Sequence, residues 1–555
     1  MKTPISAWQV VRPYWFSEDK WRARGLLIFI IALDMATVYA AVLITYWQKD
    51  FFDALAEYNL SAIQPLMYSL FILMVASVTS TTFSLYFKQL LEIRWRSWLT
   101  NNFVYQYLEN HKFYHIEQQK LADNPDQRIA EDLNLLAVKS LELFTGFLKN
   151  FVNLISYSIV IWGLSESWSF HAVGKDFSIP GILLWIGLIY ALLGSIIMEK
   201  VGRPIVGLGY KQQRYEADFR YLLMQIRENA EQISLYKGQY TEKQRLLASF
   251  SAIRKNWRGL MTYTKRITFT EAVYIDVGSY LPYFLIIPQY FAKKLTIGQV
   301  MQTSNSFSRL RQAFSWFIYN FKEVAEVRAI LQRLSEFEWA VQQPLTANIK
   351  IHNTTQRSLT LRGLSLQQPN GELLSPIPNT TIHAGERWLI QGVSGAGKST
   401  FLRALAGLWL YGKGEIYLPK DAHLFFLPQK SYLPYGTLKS ALCYPKTEAD
   451  FDDTQCIDVM KLVRLDSKIE NLHIIDYWEK CLSGGEQQRL AFARVLLHKP
   501  NYVFLDEATS ALDNDNEHHA YQLLLNLLPN STIVSIAHHE NLIKYHDYTL
   551  TIKKH

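Results

Sequence analysis

With 555 residues, the chain is long enough for two or three domains of ordinary size. Hydrophobic residues make up 49 % and charged residues 19 %, with a mean hydropathy of −0.03, so position along the chain must separate a uniform globular protein from an apolar half joined to a polar one. The net charge of +8 points to an anionic neighbour, nucleic acid or a lipid surface, and the three cysteines (Cys443, Cys456, Cys481) lack metal-ligand spacing and argue against a disulfide framework.

The N-terminal stretch carries Trp8, Trp15 and Trp21 among five basic residues, with no short apolar region or small-residue cleavage site, which reads against a cleavable signal peptide. Residues 26–47 then form an apolar run broken by one acid, Asp34; about 20 such residues cross a bilayer core as a helix. Similar runs recur at 65–87, 142–164, 180–200 and 270–292, the last containing Asp276. A sixth, 298–322, contains Asn305, Arg309, Arg311 and several serines. It reads as a spanning helix with one polar face, because lipid would not tolerate those side chains and a water-filled cavity would. An amphipathic surface helix is the alternative. Aromatic residues, 14 % of the chain with 15 Trp and 32 Tyr, suit the headgroup level of a membrane.

Loop charge predicts orientation. The N-terminal segment and the connections 88–141 and 201–269 are basic, whereas 48–64 carries Lys49 against Asp50, Asp53 and Glu57, and 165–179 carries only Lys175 as a base. Basic loops stay cytoplasmic, so both termini are expected inside and the number of spans is even; six fits. The membrane surface then accounts for the positive charge, and nucleic acid is not needed as a partner. The long polar connection 205–268 has helix-favouring composition, so the spanning helices are expected to continue beyond the membrane before reversing. The four intramembrane charges Asp34, Asp276, Arg309 and Arg311 are candidates for lining a translocation cavity; mutual pairing that merely fixes helix packing is the alternative.

From about 345 the pattern changes to short apolar runs, turn residues and helices, dividing the chain into an expected membrane part, 1–340, and an α/β part, 345–555. Gly392-Val393-Ser394-Gly395-Ala396-Gly397-Lys398-Ser399-Thr400 follows the apolar Trp388-Leu389-Ile390 and precedes a helix-favouring run. This is a phosphate-binding loop in its strand–loop–helix setting. Glycines let backbone N–H groups close on phosphates, Lys398 reaches the β/γ oxygens and Ser399 ligates Mg²⁺. Tyr502 to Glu507 reads as a buried strand ending in two acids, with Asp506 holding the Mg²⁺ and Glu507 orienting the attacking water. Between them Leu482-Ser483-Gly484-Gly485-Glu486-Gln487-Gln488 opens a helix with small residues, a second anion site. Two phosphate-gripping elements in one chain imply a nucleotide held between two subunits.

The order of phosphate loop, Leu-Ser-Gly-Gly-Glu-Gln and Val-Phe-Leu-Asp-Glu resembles the ATP-binding-cassette (ABC) superfamily. The resemblance implies ATP and Mg²⁺ as cofactors. It also implies a Q-loop glutamine at Gln429 that senses the metal, a D-loop at Ser510-Ala511-Leu512-Asp513, a switch histidine at His538, and nucleotide contacts from Ser483, Gly484, Gly485 and Gln487. An aromatic that stacks on adenine is missing from its usual place, Gln367-Gln368 before Pro369-Asn370-Gly371, which leaves nearby rings such as Trp409 or Tyr411 as candidates. In the membrane part, Asp123 to Asp132, Arg94-Trp95-Arg96 and Glu228 to Ile233 resemble the ABCD subfamily and the bacterial YddA-like group related to SbmA/BacA. The resemblance implies a homodimeric half-transporter of the bacterial cytoplasmic membrane, with a six-helix exporter-type membrane domain and a P-loop α/β nucleotidase. It would move a hydrophilic or amphipathic solute such as a peptide or cobalamin-like compound. Export of lipid, acyl or drug-like amphipaths is the alternative, and an ATP-gated channel regulator a remoter one, since the acid Glu507 is intact.

Overall fold

The computed structural model of the chain describes residues 6–165, 169–172, 175–178, 180–344, 347–420, 422–537 and 540–554. The chain divides into two compact units, Met1–Gln342 and Gln343–His555.

The first unit is helical. A short helix α1 (Ala7–Trp15) precedes α2 (Lys20–Ala56) and α3 (Leu60–Leu108), followed by α4 (Lys112–Gln119) and a single turn α5 (Pro125–Gln127). Then come α6 (Leu133–Ser165), a hairpin of β1 (Ser169–Ala172) and β2 (Lys175–Ser178), α7 (Ile182–Glu228), α8 (Ala230–Leu235), α9 (Gln239–Phe291), α10 (Ile297–Tyr319) and α11 (Phe321–Gln342). α2 pairs with α3 and α7 with α9, while α10 lies against α2, α6, α7 and α9. As the polar, helix-favouring connection predicts, α7 and α9 extend far beyond the apolar runs, and the short α8 turns between them.

By length and composition, four helical stretches among the described residues can cross a membrane: Lys20–Ala56, Leu60–Gln119, Pro125–Ser165 and Ile182–Glu228. α9 and α10 are long enough but more polar. Packing explains this for α10: Gln302, Thr303, Ser304, Ser306, Arg311 and Ser315 are all buried in the unit. A helix whose polar side chains face protein needs less apolar surface than one facing lipid. Gly187 lets Phe307 and Leu310 of α10 approach α7 closely.

A second core joins α1, α3, α6 and α11, with Tyr14 stacked on Trp95 at 5.9 Å and Phe103 on Phe337 at 5.8 Å. Beside it runs a π-helical turn, Arg128–Asp132. There the buried Asp132 accepts from Arg128 Nη1 at 2.8 Å and from Arg333 Nη2 and Nε at 2.6 and 2.9 Å. The hydrogen bonds from two guanidinium groups compensate the burial of this carboxylate.

The second unit contains two larger sheets. One is mixed, in the order β3 (Lys350–Thr354), β8 (Gly412–Pro419), β4 (Ser358–Gln367), β5 (Leu373–Pro376), with β6 (Thr380–His383) also on β4. The other is parallel, in the order β14 (Tyr548–Thr551), β7 (Arg387–Gln391), β13 (Thr532–Ile536), β12 (Tyr502–Asp506), β9 (Leu424–Leu427). β12 and β13 are unbroken apolar runs buried on both faces, as parallel strands covered by helices should be. α12 (Lys398–Leu405) follows β7, and a helical lobe is built from α13 (Leu438–Cys443), α14 (Asp453–Leu462), α15 (Trp478–Cys481) and α16 (Gly484–His498), with a small pairing of β10 (Gly436–Thr437) and β11 (Ile475–Asp476). α17 (Asn514–Leu527) packs against α16.

Candidate nucleotide site and membrane cavity

The phosphate loop lies between β7 and α12, at the carboxyl end of a parallel strand. Gly397 is the N-cap of α12 with φ +89°, and a Cβ there would strike Leu374. The loop is further tied by Ser375 Oγ, which donates to the Ala396 carbonyl. Lys398 is buried and its ammonium donates to the Gly392 carbonyl at 2.7 Å, folded back over its own loop. Gly392, Gly395 and Gly397 all have positive φ, while Ser394 is exposed and Ala396 buried. Thr400 is half-buried in the first turn of the helix.

Ser399 Oγ donates to Asp506 Oδ1 at 2.9 Å, joining the start of α12 to the end of β12. Burial raises the Asp506 pKa above its usual value, partly offset by the Ser399 hydrogen bond. The next residue, Glu507, sits in the left-handed region at φ +49°, its N–H held by the Ile536 carbonyl at 3.0 Å. Such a conformation in a non-glycine residue costs on the order of 1 kcal/mol and persists only where the surroundings enforce it. It turns the Glu507 carboxylate to Gln429, whose Nε2 donates to Oε2 at 3.0 Å. Lys398, Ser399, Asp506, Glu507 and Gln429 thus gather around one loop. Their oxygens (a hydroxyl, two carboxylates and an amide) form the hard donor set that Mg²⁺ prefers. His538 lies outside the described residues.

The second motif is held differently. Ser483 is the N-cap of α16 in a capping box, accepting from Glu486 N at 3.3 Å and donating to Glu486 Oε2 at 2.9 Å. Gly484 and Gly485 are the first residues of the helix, and Cβ atoms there would touch Ala511. Gln487 donates to the carbonyls of Glu479 and Leu482 at 2.8 and 3.0 Å, bracing the preceding turn. Asp513 caps α17 through Asn516 N at 2.8 Å. The last residue of the motif has no separate role that the sequence assigns. Gln488 is buried, donates to Ser510 Oγ at 3.2 Å and accepts from Ala511 N at 2.8 Å, clasping the loop after β12 to the start of α16. Its place beside Gln487 at the end of the small-residue motif was the available signal.

Of the rings considered for the base, Trp409 is buried, and its indole N–H donates to the Gln367 carbonyl at 3.0 Å. It supports the turn and is not free to stack on a base. Tyr411 is half-buried against the same core, edge-on to Trp409 at 5.5 Å.

In the membrane unit a polar cavity of about 500 Å³ is lined by residues of α2, α3, α6 and α10, among them Thr45, Gln48, Ser77, Lys149, Asn153, Asn305, Ser308, Arg309 and Gln312. Of the four intramembrane charges, Arg309 lines it. Asp34 precedes the lining residue Thr37 by about one turn of α2 and accepts from Ser84 Oγ at 2.8 Å. Arg311 is buried away from that lining, its guanidinium 5.3 Å from the Tyr274 ring and its Cδ against Gly278. Asp276 is exposed on a separate apolar groove of α9 with Tyr280 and Phe284. The four therefore do not share one cavity within a single chain.

A long-helix unit followed by a P-loop nucleotidase with a second phosphate motif defines an ATP-driven membrane transporter. The chain belongs to the ABC transporters: the ABC transporter transmembrane region 2 family matches residues 11–291 and the ABC transporter family residues 377–510. It is 31 % identical over 538 residues to the inner membrane ABC transporter ATP-binding protein YddA of Escherichia coli (strain K12), covering 95 % of this chain and 94 % of that protein. It is 30 % identical to ABC transporter D family member 2, chloroplastic, of Arabidopsis thaliana, covering 98 % and 85 %. A bacterial Atm1-family ABC exporter solved with ATP bound shares the fold at a TM-score of 0.73 and 17 % identity, over 96 % of this chain and 93 % of that one. The chain is thus an ATP-binding, ATP-hydrolysing transporter polypeptide of exporter-type fold, within the group of YddA-like and ABCD proteins.

Proposed function

We propose that two copies of the chain, each with a membrane domain over 1–340 and a nucleotidase over 345–555, form the working transporter with two equivalent ATP sites. Each site joins the phosphate loop of one chain (Gly392 to Thr400) to Ser483, Gly484 and Gly485 of the other, with Asp513 at the seam and Gln487 bracing the motif. Ser399, Asp506 and Gln429 hold Mg²⁺, which neutralises charge on the phosphates. Glu507 orients the attacking water, and His538 contacts the terminal phosphate. The observation that carries this is the linked pair Ser399–Asp506 and Gln429–Glu507, at 2.9 and 3.0 Å: the donor for a metal and the carboxylate for a water are positioned together.

The transported solute in this reading is hydrophilic or amphipathic, such as a peptide or cobalamin-like compound, and the membrane is the bacterial cytoplasmic membrane with both termini inside. The polar lining of the 500 Å³ cavity supports a hydrophilic cargo over an acyl chain. Native mass spectrometry of the full chain with ATP and Mg²⁺ tests the assembly: two chains with two nucleotides are expected. A lone chain that hydrolyses ATP at the full rate overturns it. ATP-dependent uptake of radiolabelled cobalamin and of a labelled tripeptide into proteoliposomes tests the cargo.

A further inference from the structure

Two of the residues lining the membrane cavity are cations on different helices, Lys149 on α6 and Arg309 on α10, and among the described residues neither has a carboxylate within 4.0 Å. The rest of the lining is mixed: the polar side chains Thr45, Asn153, Ser308 and Gln312 stand with Val38, Ala41 and Ile44, and Asn305 Nδ2 donates to Gln48 Oε1 at 2.8 Å across α10 and α2. No acid is among the described lining residues. On α2, Asp34 is hydrogen-bonded to Ser84 of α3 and Asp50 pairs with Lys49 at 3.3 Å. Both cations lie well inside their helices, in the apolar runs read from sequence, where an ionised side chain is costly and persists when it serves a pathway. Two like charges bordering one cavity also raise each other's energy, and an anion entering between them relieves that repulsion while accepting hydrogen bonds from both.

We infer that this cavity binds an anion through its carboxylate or phosphate groups, with Lys149 and Arg309 as its charge-recognising residues. The inference rests on the transporter reading above and adds the charge of the cargo. A soluble solute and a lipid phosphate headgroup offer the same chemistry, so both sources enter the test. The wild-type chain in phosphatidylcholine nanodiscs is titrated calorimetrically with tri-glutamate, tri-glutamine and tri-lysine. Tri-glutamate is expected to bind about 10-fold or more tightly than tri-glutamine, and tri-lysine not to bind. Lys149→Gln with Arg309→Gln should bring the acidic and neutral peptides within about 2-fold of each other, whereas Lys149→Arg and Arg309→Lys, which keep the charge and guard against misfolding, should retain the preference. Loss of tri-glutamate binding in discs of phosphatidylglycerol would assign the cavity to a lipid phosphate; its persistence would assign it to a soluble anion. No preference for the acidic peptide, or a preference that survives the double glutamine variant, overturns the inference. ATP hydrolysis by the wild type in the same discs reports separately on the transporter reading.

Discussion

The carboxylate of Asp53, near the end of α2, caps the start of α10: it accepts from the backbone N–H of Gly298 at 2.9 Å and from Thr296 Oγ1 at 3.1 Å. These partners are 245 and 243 residues away in sequence. Gly298 has no room for a side chain, because a Cβ would collide with the Lys49 carbonyl and the Asp53 carboxylate. The N-terminus of α10, which carries Arg309, is thereby pinned to α2. Asp53→Ala is expected to lower the stability of the membrane unit by about 1 kcal/mol, the usual effect of removing an N-cap. Asp53→Asn, which keeps an acceptor, should lose less. Thermal unfolding in detergent checks this, and equal Tm for wild type and Asp53→Ala would refute it.

Glu507→Gln preserves the shape of the side chain while removing the charge that polarises water. Hydrolysis is expected to fall by about 10²–10⁴-fold with nucleotide still bound. Single-turnover kinetics with a bound-nucleotide count measures both; near-normal turnover removes Glu507 from the chemistry.

Gln488 is expected to matter although it touches no phosphate-loop residue. Gln488→Leu leaves the Ala511 N–H without its 2.8 Å acceptor and frees Ser510. Steady-state ATP hydrolysis should drop about 10-fold through loosening of the loop beside α16, while the affinity of the phosphate loop for a fluorescent ATP analogue stays unchanged. Loss of nucleotide affinity would instead make Gln488 a general folding residue.

Glu338 on α11 is half-buried, and burial pushes its pKa up to about 7 from an ordinary 4.5. Gln342 Nε2 reaches one oxygen at 3.2 Å, while Oε2 has no hydrogen-bond partner among the described residues. With the folded-state pKa raised, the stability associated with the protonated form is fully present below about pH 4.5 and is lost as pH rises through about 7. Glu338→Gln should therefore match the wild type at pH 4.5 and become progressively more stable than it toward pH 8. Tm of both proteins across that range measures the difference, and a constant offset contradicts the assignment.

The nucleotidase chemistry was legible in the sequence because its parts are local. The residues from Gly392 to Thr400 carry the strand end, the loop and the helix start within one short stretch, and Asp506 and Glu507 end a strand that is apolar throughout. Membrane helices announce themselves by length, so α2, α3, α6 and α7 were equally plain. What a charged residue faces is not local. Arg309 and Arg311 are two positions apart, yet a helix turns about 200° over two residues. Arg309 consequently lines the polar cavity while Arg311 packs on Tyr274. Lys149 drew no attention as one lysine in an apolar run; only the packing of α6 against α10 gives it Arg309 as a companion. Gln487 and Gln488 are adjacent in the motif, but one turns to the preceding backbone and the other inward to Ala511. Trp409 had the right chemistry to stack on a base, and the core of the second unit had already buried it. Local sequence determined which groups are present, and the rotation and packing of helices decided which of them meet, because side-chain direction along a helix changes by about 100° per residue while composition does not change at all.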